Sequence, residues 1–248
     1  MTISSSLVLL SLANVVMGHG RLTDPPSRSS AFRYGFNTPV NYMDHQLNCG
    51  GFWNQWGLNN GRCGVCGDPY QGPRENEAGG KYATGTIVRS YKEGQQISVE
   101  TEITVPHGGG WSEFRICPNN DVNKPATQQC LDQYLLASPS GETRFVHAGT
   151  TGKFRITLLL PPGLTCTQCF LQWKWNTKQH NNCNPETHEC CMGCGPQEQF
   201  YGCADISIER STIGESVRNP RTTKIPVRPV VTRNTQPNGF IPIDSRNG

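Results

Sequence analysis

Twelve cysteines, spread from Cys49 to Cys203 behind an apolar leader, constrain this chain more than any other feature. Residues 1–18 contain the run LVLLSLANVV and close on Met17-Gly18. That reads as a secretory signal over 1–18, although no Lys or Arg precedes the apolar run. The run is short for a bilayer span, which needs roughly 20 residues. Cysteines behind such a leader predict a secreted, extracellular protein whose thiols are oxidised. Each bridge would stabilise by about 2–4 kcal/mol, chiefly by restricting the unfolded chain. Cys63-x-x-Cys66 and Cys166-x-x-Cys169 could instead form one zinc site, but they lie about a hundred residues apart and the context favours disulfides. The run Cys190-Cys191-Met192-Gly193-Cys194 reads as too tight to pair within itself, so its members are expected to tie their loop to separate strands.

Residues from Gly20 to about Gly80 are rich in Gly, Pro, Asn and aromatics, with no helical period, and predict long pinned loops. Strand signals follow. Ile97, Val99, Thr101, Ile103 and Val105 alternate with period two. GTIVRSY, SEFRICP, KFRITLLLP, CFLQWKWNT and EQFYGCADISIER are β-rich in the same way. TQQCLDQYLL reads as either a short helix or an edge segment. The expected fold is an all-β antiparallel sandwich over residues 19–210 with long disulfide-pinned loops. Residues 211–248 lack cysteine, are rich in Pro, Thr and Arg, and predict a disordered tail. From Glu209 onward seven Lys/Arg face three Asp/Glu, a charge of +4. The whole chain is +3, so the remainder is −1, which argues against nucleic acid as a partner. No second apolar stretch supplies a membrane anchor.

Cleavage after Gly18 would make His19 the first residue. Its free α-amine and imidazole Nδ1 could then chelate one metal together; in the precursor that nitrogen is a peptide nitrogen and cannot ligate. A second imidazole is needed, from His45, His107, His147, His180 or His188. His107 stands out: it follows the ISVETEITVP strand as a surface ligand, and Gly108-Gly109-Gly110 would let a bulky surface approach the metal. No G-x-S-x-G, H-E-x-x-H or phosphate loop is present, and the carboxylates stand in no recognisable catalytic frame.

HGRLTDPPSRSSAFRYGF, NCGGFWNQWGLNNGRCGVCGDPY, ENEAGGKYATGTI and GCGPQEQFYGCADISI, in that order, resemble the insect-type lytic polysaccharide monooxygenases, auxiliary activity family fifteen, over roughly His19 to Glu209. The resemblance implies an immunoglobulin/fibronectin-like sandwich with one copper ion. It implies that His19 supplies its amine and Nδ1 and His107 the third nitrogen, with Phe200 or Tyr201 axial. Strand alternation lets only one of that pair face the metal, and Phe200 is favoured because Glu198, two residues earlier, shares its face. Glu198 would then handle the oxygen co-substrate. The implied activity is oxidative cleavage of crystalline chitin or cellulose by a monomer fed by an external electron donor. Tyr34, Trp53, Trp56 and Trp111 are candidates for stacking on sugar rings, each of them equally readable as core. A non-catalytic polysaccharide-binding module is the alternative, followed by a cystine-rich structural protein and, more distantly, a zinc hydrolase.

Overall fold

A computed structural model describes residues 19–211; the expected leader over 1–18 and nearly all of the expected tail lie outside the described residues. Two sheets form a β-sandwich. One holds β1 (His19–Asp24), β3 (Gln96–Val105) and β6 (Gly152–Leu159), in the order β1-β3-β6. The other holds β2 (Arg89–Lys92), β4 (Gly110–Cys117), β5 (Phe145–His147), β7 (Cys166–Thr177) and β10 (Gln199–Glu209), in the order β2-β10-β7-β4-β5. All pairings are antiparallel except β2 with β10, which run parallel. A hairpin of β8 (Asn181–Cys183) and β9 (Cys190–Met192) stands apart. Among the described residues no helix is long and apolar enough to cross a membrane.

The core follows from period-two alternation. Ile97, Val99 and Ile103 of β3 meet Phe114 and Ile116 of β4, Leu171, Trp173 and Trp175 of β7, and Phe200, Ala204 and Ile206 of β10. The strand pattern missed β1, because HGRLTD has no apolar alternation. Pairing with β3 makes it a strand, and Gly20 lets it pass. A Cβ there would stand 3.0 Å from Ile103 Cδ1 and 3.1 Å from the Trp173 ring. TQQCLDQYLL contains a short helix, α1 (Gln128–Asp132), capped by the Thr127 hydroxyl, which accepts from the Cys130 N–H.

The outer face of the five-stranded sheet is buried as well, under the loops before β2. Gln172 donates to Val65 O (2.6 Å), and Leu47 O accepts from the Tyr201 N–H (2.8 Å). Arg28 grips Asp205 through two nitrogens (2.7 and 2.6 Å). The Cys66–Cys203 bridge fastens this cover to β10 across a separation of 137 residues, a closure worth about 4–5 kcal/mol in the chain-entropy account. The other bridges are Cys49–Cys63, Cys117–Cys130, Cys166–Cys169, Cys183–Cys190 and Cys191–Cys194. All twelve cysteines are therefore paired and none is left for zinc. The expectation for the 190–194 run is corrected. The β8–β9 hairpin sets Cys183 opposite Cys190, and a turn at Gly193 (φ 89°) folds Cys194 back onto Cys191. The run staples itself instead of tying the loop to distant strands.

Candidate metal centre

Strand register brings the two favoured histidines to one end of the sandwich. His19 pairs with Val105, so the start of β1 lies beside the end of β3, and His107 is two residues further along. His19 is fixed through its backbone and its neighbour: Thr104 Oγ1 donates to His19 O (3.3 Å), and the Gly20 N–H donates to His45 O (2.9 Å). Its side chain touches Gln46 through Nε2 and meets the edge of His45 at 4.4 Å between centroids. Burial lowers the His19 pKa, and the neighbouring His45 and His107 lower it further, against the pull of Glu198. At neutral pH the ring is a neutral donor.

His107 is 4% exposed, so the expectation of a surface ligand is corrected. Its ring meets Phe200 and Trp175 edge-on at 5.7 and 6.2 Å. Nδ1 lies 3.1 Å from Glu198 Oε2, but off the line of a directed hydrogen bond, and neither ring nitrogen has a hydrogen-bond partner among the described residues. Gly108, Gly109 and Gly110 do not serve to open the surface. All three have positive φ, and a Cβ on them would overlap Lys178 O, His147 O and Asn176 O respectively. Only glycine allows this turn to seat against β5 and β7.

Glu198 comes from the segment entering β10. Its backbone oxygen accepts from Thr177 N–H and Oγ1 (3.1 and 3.0 Å), and its carboxylate accepts from Asn48 (2.9 Å) and Gln179 (2.8 Å). Burial pushes its pKa up, but contact with His107 and the two amides outweighs this and holds it below the ordinary range. It is a carboxylate at neutral pH. Alternation separates Phe200 from Tyr201 as expected. Phe200 is fully buried beside His107 and Trp175, whereas Tyr201 lies on the opposite face and donates to Gln199 Oε1 (2.8 Å).

Of the remaining histidines, His45 and His180 join the neighbourhood. His180 stacks on Phe52 at 4.1 Å, and burial, Glu198 and His107 together shape its titration. His147 lies in the core against Ser112, and His188 is exposed in the β8–β9 turn. Gln46, Asn48 and Gln179 escaped the sequence reading, because amides in polar loops carry no signal of their own. Of the aromatics, Trp53 is 70% exposed and Tyr34 39%; Trp56 and Trp111 are half-buried. Tyr42, unremarked in the sequence, is 75% exposed on the loop that carries His45.

A buried imidazole whose two nitrogens go unused, near a second neutral imidazole, is an expensive arrangement unless something occupies those nitrogens. Nitrogen donors suit copper well, and copper tops the affinity order for divalent ions. The residues fit that metal. A family model described as "Lytic polysaccharide mono-oxygenase, cellulose-degrading" matches residues 19–206. The chain belongs to the lytic polysaccharide monooxygenases. A family-fifteen lytic polysaccharide monooxygenase from Thermobia domestica, solved in its Cu(I) state, is 48% identical. The alignment covers 77% of this chain and 98% of that one, with a TM-score of 0.72. A family-ten lytic polysaccharide monooxygenase from Streptomyces lividans shares the fold at 14% identity and a TM-score of 0.51, over 76% of this chain and 99% of that one. No curated protein matches. As a lytic polysaccharide monooxygenase the chain is an oxidoreductase that acts on polysaccharide, in a family whose members use copper.

Proposed function

We propose that this chain is a secreted enzyme that cleaves glycosidic bonds in crystalline chitin or cellulose by oxidation, with one copper ion held by the His19 α-amine, His19 Nδ1 and a His107 nitrogen. The observation that carries this reading is the β1–β3 register, which sets His19 near a buried His107 whose nitrogens lack partners. Bound copper would supply one-electron chemistry and a place to reduce dioxygen or hydrogen peroxide, giving an oxidant able to take hydrogen from C1 or C4 beside the glycosidic bond. Hydroxylation consumes dioxygen with two electrons and two protons, or one hydrogen peroxide, and releases water; the hydroxylated carbon then loses its glycosidic oxygen. An external reductant supplies the electrons.

The protein's groups have separable tasks. The α-amine binds only after cleavage at Gly18–His19, and its ordinary pKa of about 7.7–8.0 makes binding weaken in acid. Glu198, held as an anion by His107, Gln179 and Asn48, would position the oxygen co-substrate as a hydrogen-bond and proton acceptor. The Phe200 ring offers no donor atom, so it shields one side of the site from a further ligand. Trp53 and Tyr42 offer flat exposed rings for sugar. Six disulfides suit an extracellular destination. Residues 19–210 would work as a monomer, without nucleic acid or membrane, and 211–248 would be dispensable for catalysis.

The test is to incubate copper-loaded protein beginning at His19 with chitin and, separately, cellulose, each with ascorbate, and to weigh the soluble products by mass spectrometry. Oxidised oligosaccharides that vanish without copper or ascorbate are expected. Adsorption without any oxidised product would leave a binding module instead.

A further inference from the structure

Residues 44–48 form one short segment that reaches both His19 and Glu198. Asp44 is buried and accepts from Arg21 of β1 (2.9 and 3.1 Å) and from Arg33 (2.7 and 3.1 Å). His45 O takes the Gly20 N–H (2.9 Å) and Leu47 O takes the Tyr201 N–H (2.8 Å), so the segment is strapped to β1 and to β10. Asn48 donates its side-chain amide to Glu198 (2.9 Å). Between these ties, the Gln46 N–H donates to Met43 O (3.0 Å), and Gln46 O accepts from the Asn48 N–H (2.9 Å). A half-buried Gln46 is thus held with its carboxamide against His19 Nε2.

That contact bears on which ring nitrogen is bare. A neutral imidazole carries one proton, on Nδ1 or on Nε2. The α-amine and Nδ1 of one histidine can close a chelate ring on a single ion; Nε2, on the far side of the ring, cannot. Nδ1 must therefore be bare, and Nε2 protonated, when a metal arrives. A carboxamide offers an acceptor at one end and donors at the other, exchanged by a half-turn. With its oxygen towards Nε2 it accepts the Nε2–H and secures that tautomer. With its amino group there it would leave the proton on Nδ1 and close the site. An acceptor on the outer nitrogen of a ligating histidine also fixes the ring plane and raises ligand basicity.

We propose that Gln46 is a positioning residue of the copper site: its carboxamide oxygen accepts from His19 Nε2–H and so keeps Nδ1 bare for the metal. The inference rests on the copper reading above.

The test uses protein beginning at His19, labelled with ¹⁵N-histidine and held metal-free at about pH 8.5, well above the ordinary imidazole pKa. Two-bond proton–nitrogen NMR reads the His19 tautomers. Gln46→Met keeps the length of the side chain and removes the acceptor; Gln46→Glu keeps an acceptor. Nε2–H should predominate in the wild type. Its excess over Nδ1–H should fall about fivefold in Gln46→Met, the worth of one net hydrogen bond, and return in Gln46→Glu. Copper affinity, measured by competition with a chelator, should fall at least about tenfold in Gln46→Met and recover in Gln46→Glu, with the metal-free melting temperature unchanged. Should Gln46→Met fail to fold, Gln46→Ala takes its place. Nδ1–H predominating in the wild type, or a tautomer ratio that ignores the loss of the acceptor, would overturn the proposal. Because the NMR arm needs no metal, a wild type whose tautomers behave as expected but which binds no copper would instead overturn the copper reading, and with it the role given to Gln46.

Discussion

His147 is an imidazole kept neutral in the core, and replacing it should flatten the acid side of the stability profile. The ring is 4% exposed and packs edge-on against Phe154 and Trp175, at 4.9 and 6.0 Å. Trp173 Nε1 donates to Ser112 Oγ (2.8 Å), which leaves the Ser112 hydrogen free to reach His147 Nε2 (2.6 Å). Burial lowers the pKa from 6.5 to about 4. One pKa unit is about 1.4 kcal/mol, so a proton on this ring costs about 3 kcal/mol more in the fold than in the unfolded chain. Above pH 6.5 neither state is protonated and the residue adds no pH dependence. Between 6.5 and 4 only the unfolded chain takes the proton, so stability falls; below 4 both states are protonated and the loss stays constant. From pH 8 to 4.5 the loss is about 2.5 kcal/mol. His147→Gln keeps an acceptor for Ser112 and removes the titration. Urea unfolding of metal-free protein with its disulfides intact, read by tryptophan fluorescence, gives stability at both pH values. The wild type should lose about 2.5 kcal/mol more than the variant over that interval, and copper should stabilise both equally. Equal losses, or an imidazole found by NMR to titrate near 6.5, would refute the argument.

Four further outcomes are expected. N-terminal sequencing of secreted protein should read His19 first; a start one residue earlier would bury the amine in a peptide bond and undo the copper site. His107→Ala should cost the metal-free fold only about 1–2 kcal/mol, because it removes a small ring whose nitrogens were unpaired, yet it should abolish copper-induced stabilisation in thermal melts. Glu198→Gln should slow product formation by roughly 10²-fold with copper affinity, measured by competition with a chelator, changed only severalfold. Tyr201→Phe should cost about 1 kcal/mol for its bond to Gln199 and leave the copper EPR spectrum unchanged, whereas Phe200→Tyr should alter that spectrum; the opposite pattern would put Tyr201 at the metal.

Period-two alternation made β3, β4, β6, β7 and β10 legible, since each buries a face whose apolar residues the sequence displays directly. It also made clear that Phe200 and Tyr201 face opposite ways. The sandwich was within reach for the same reason, and so were His19 and His107 as candidates for the proposed copper site: apolar run, strand and histidine are all local patterns. The sulfur pairings were not local. Cys63 and Cys66 sit three apart but bond to Cys49 and Cys203, whereas Cys191 and Cys194 bond to each other at the same spacing. Identical spacing gave opposite outcomes because loop path, not count, sets which sulfurs meet. β1 likewise owes its strand to a partner some eighty residues away, and the same register places His19 near His107. The burial of His107, the purpose of Gly108–Gly110 and the amides around Glu198 depend on what β7 and the covering loops bring to that end of the sheet. The sequence by itself determined the period of each strand and the chemistry each residue can offer, because those are local properties. Only the tertiary structure decided which of those chemistries share a site, because register and loop closure are set by contacts between residues far apart along the chain.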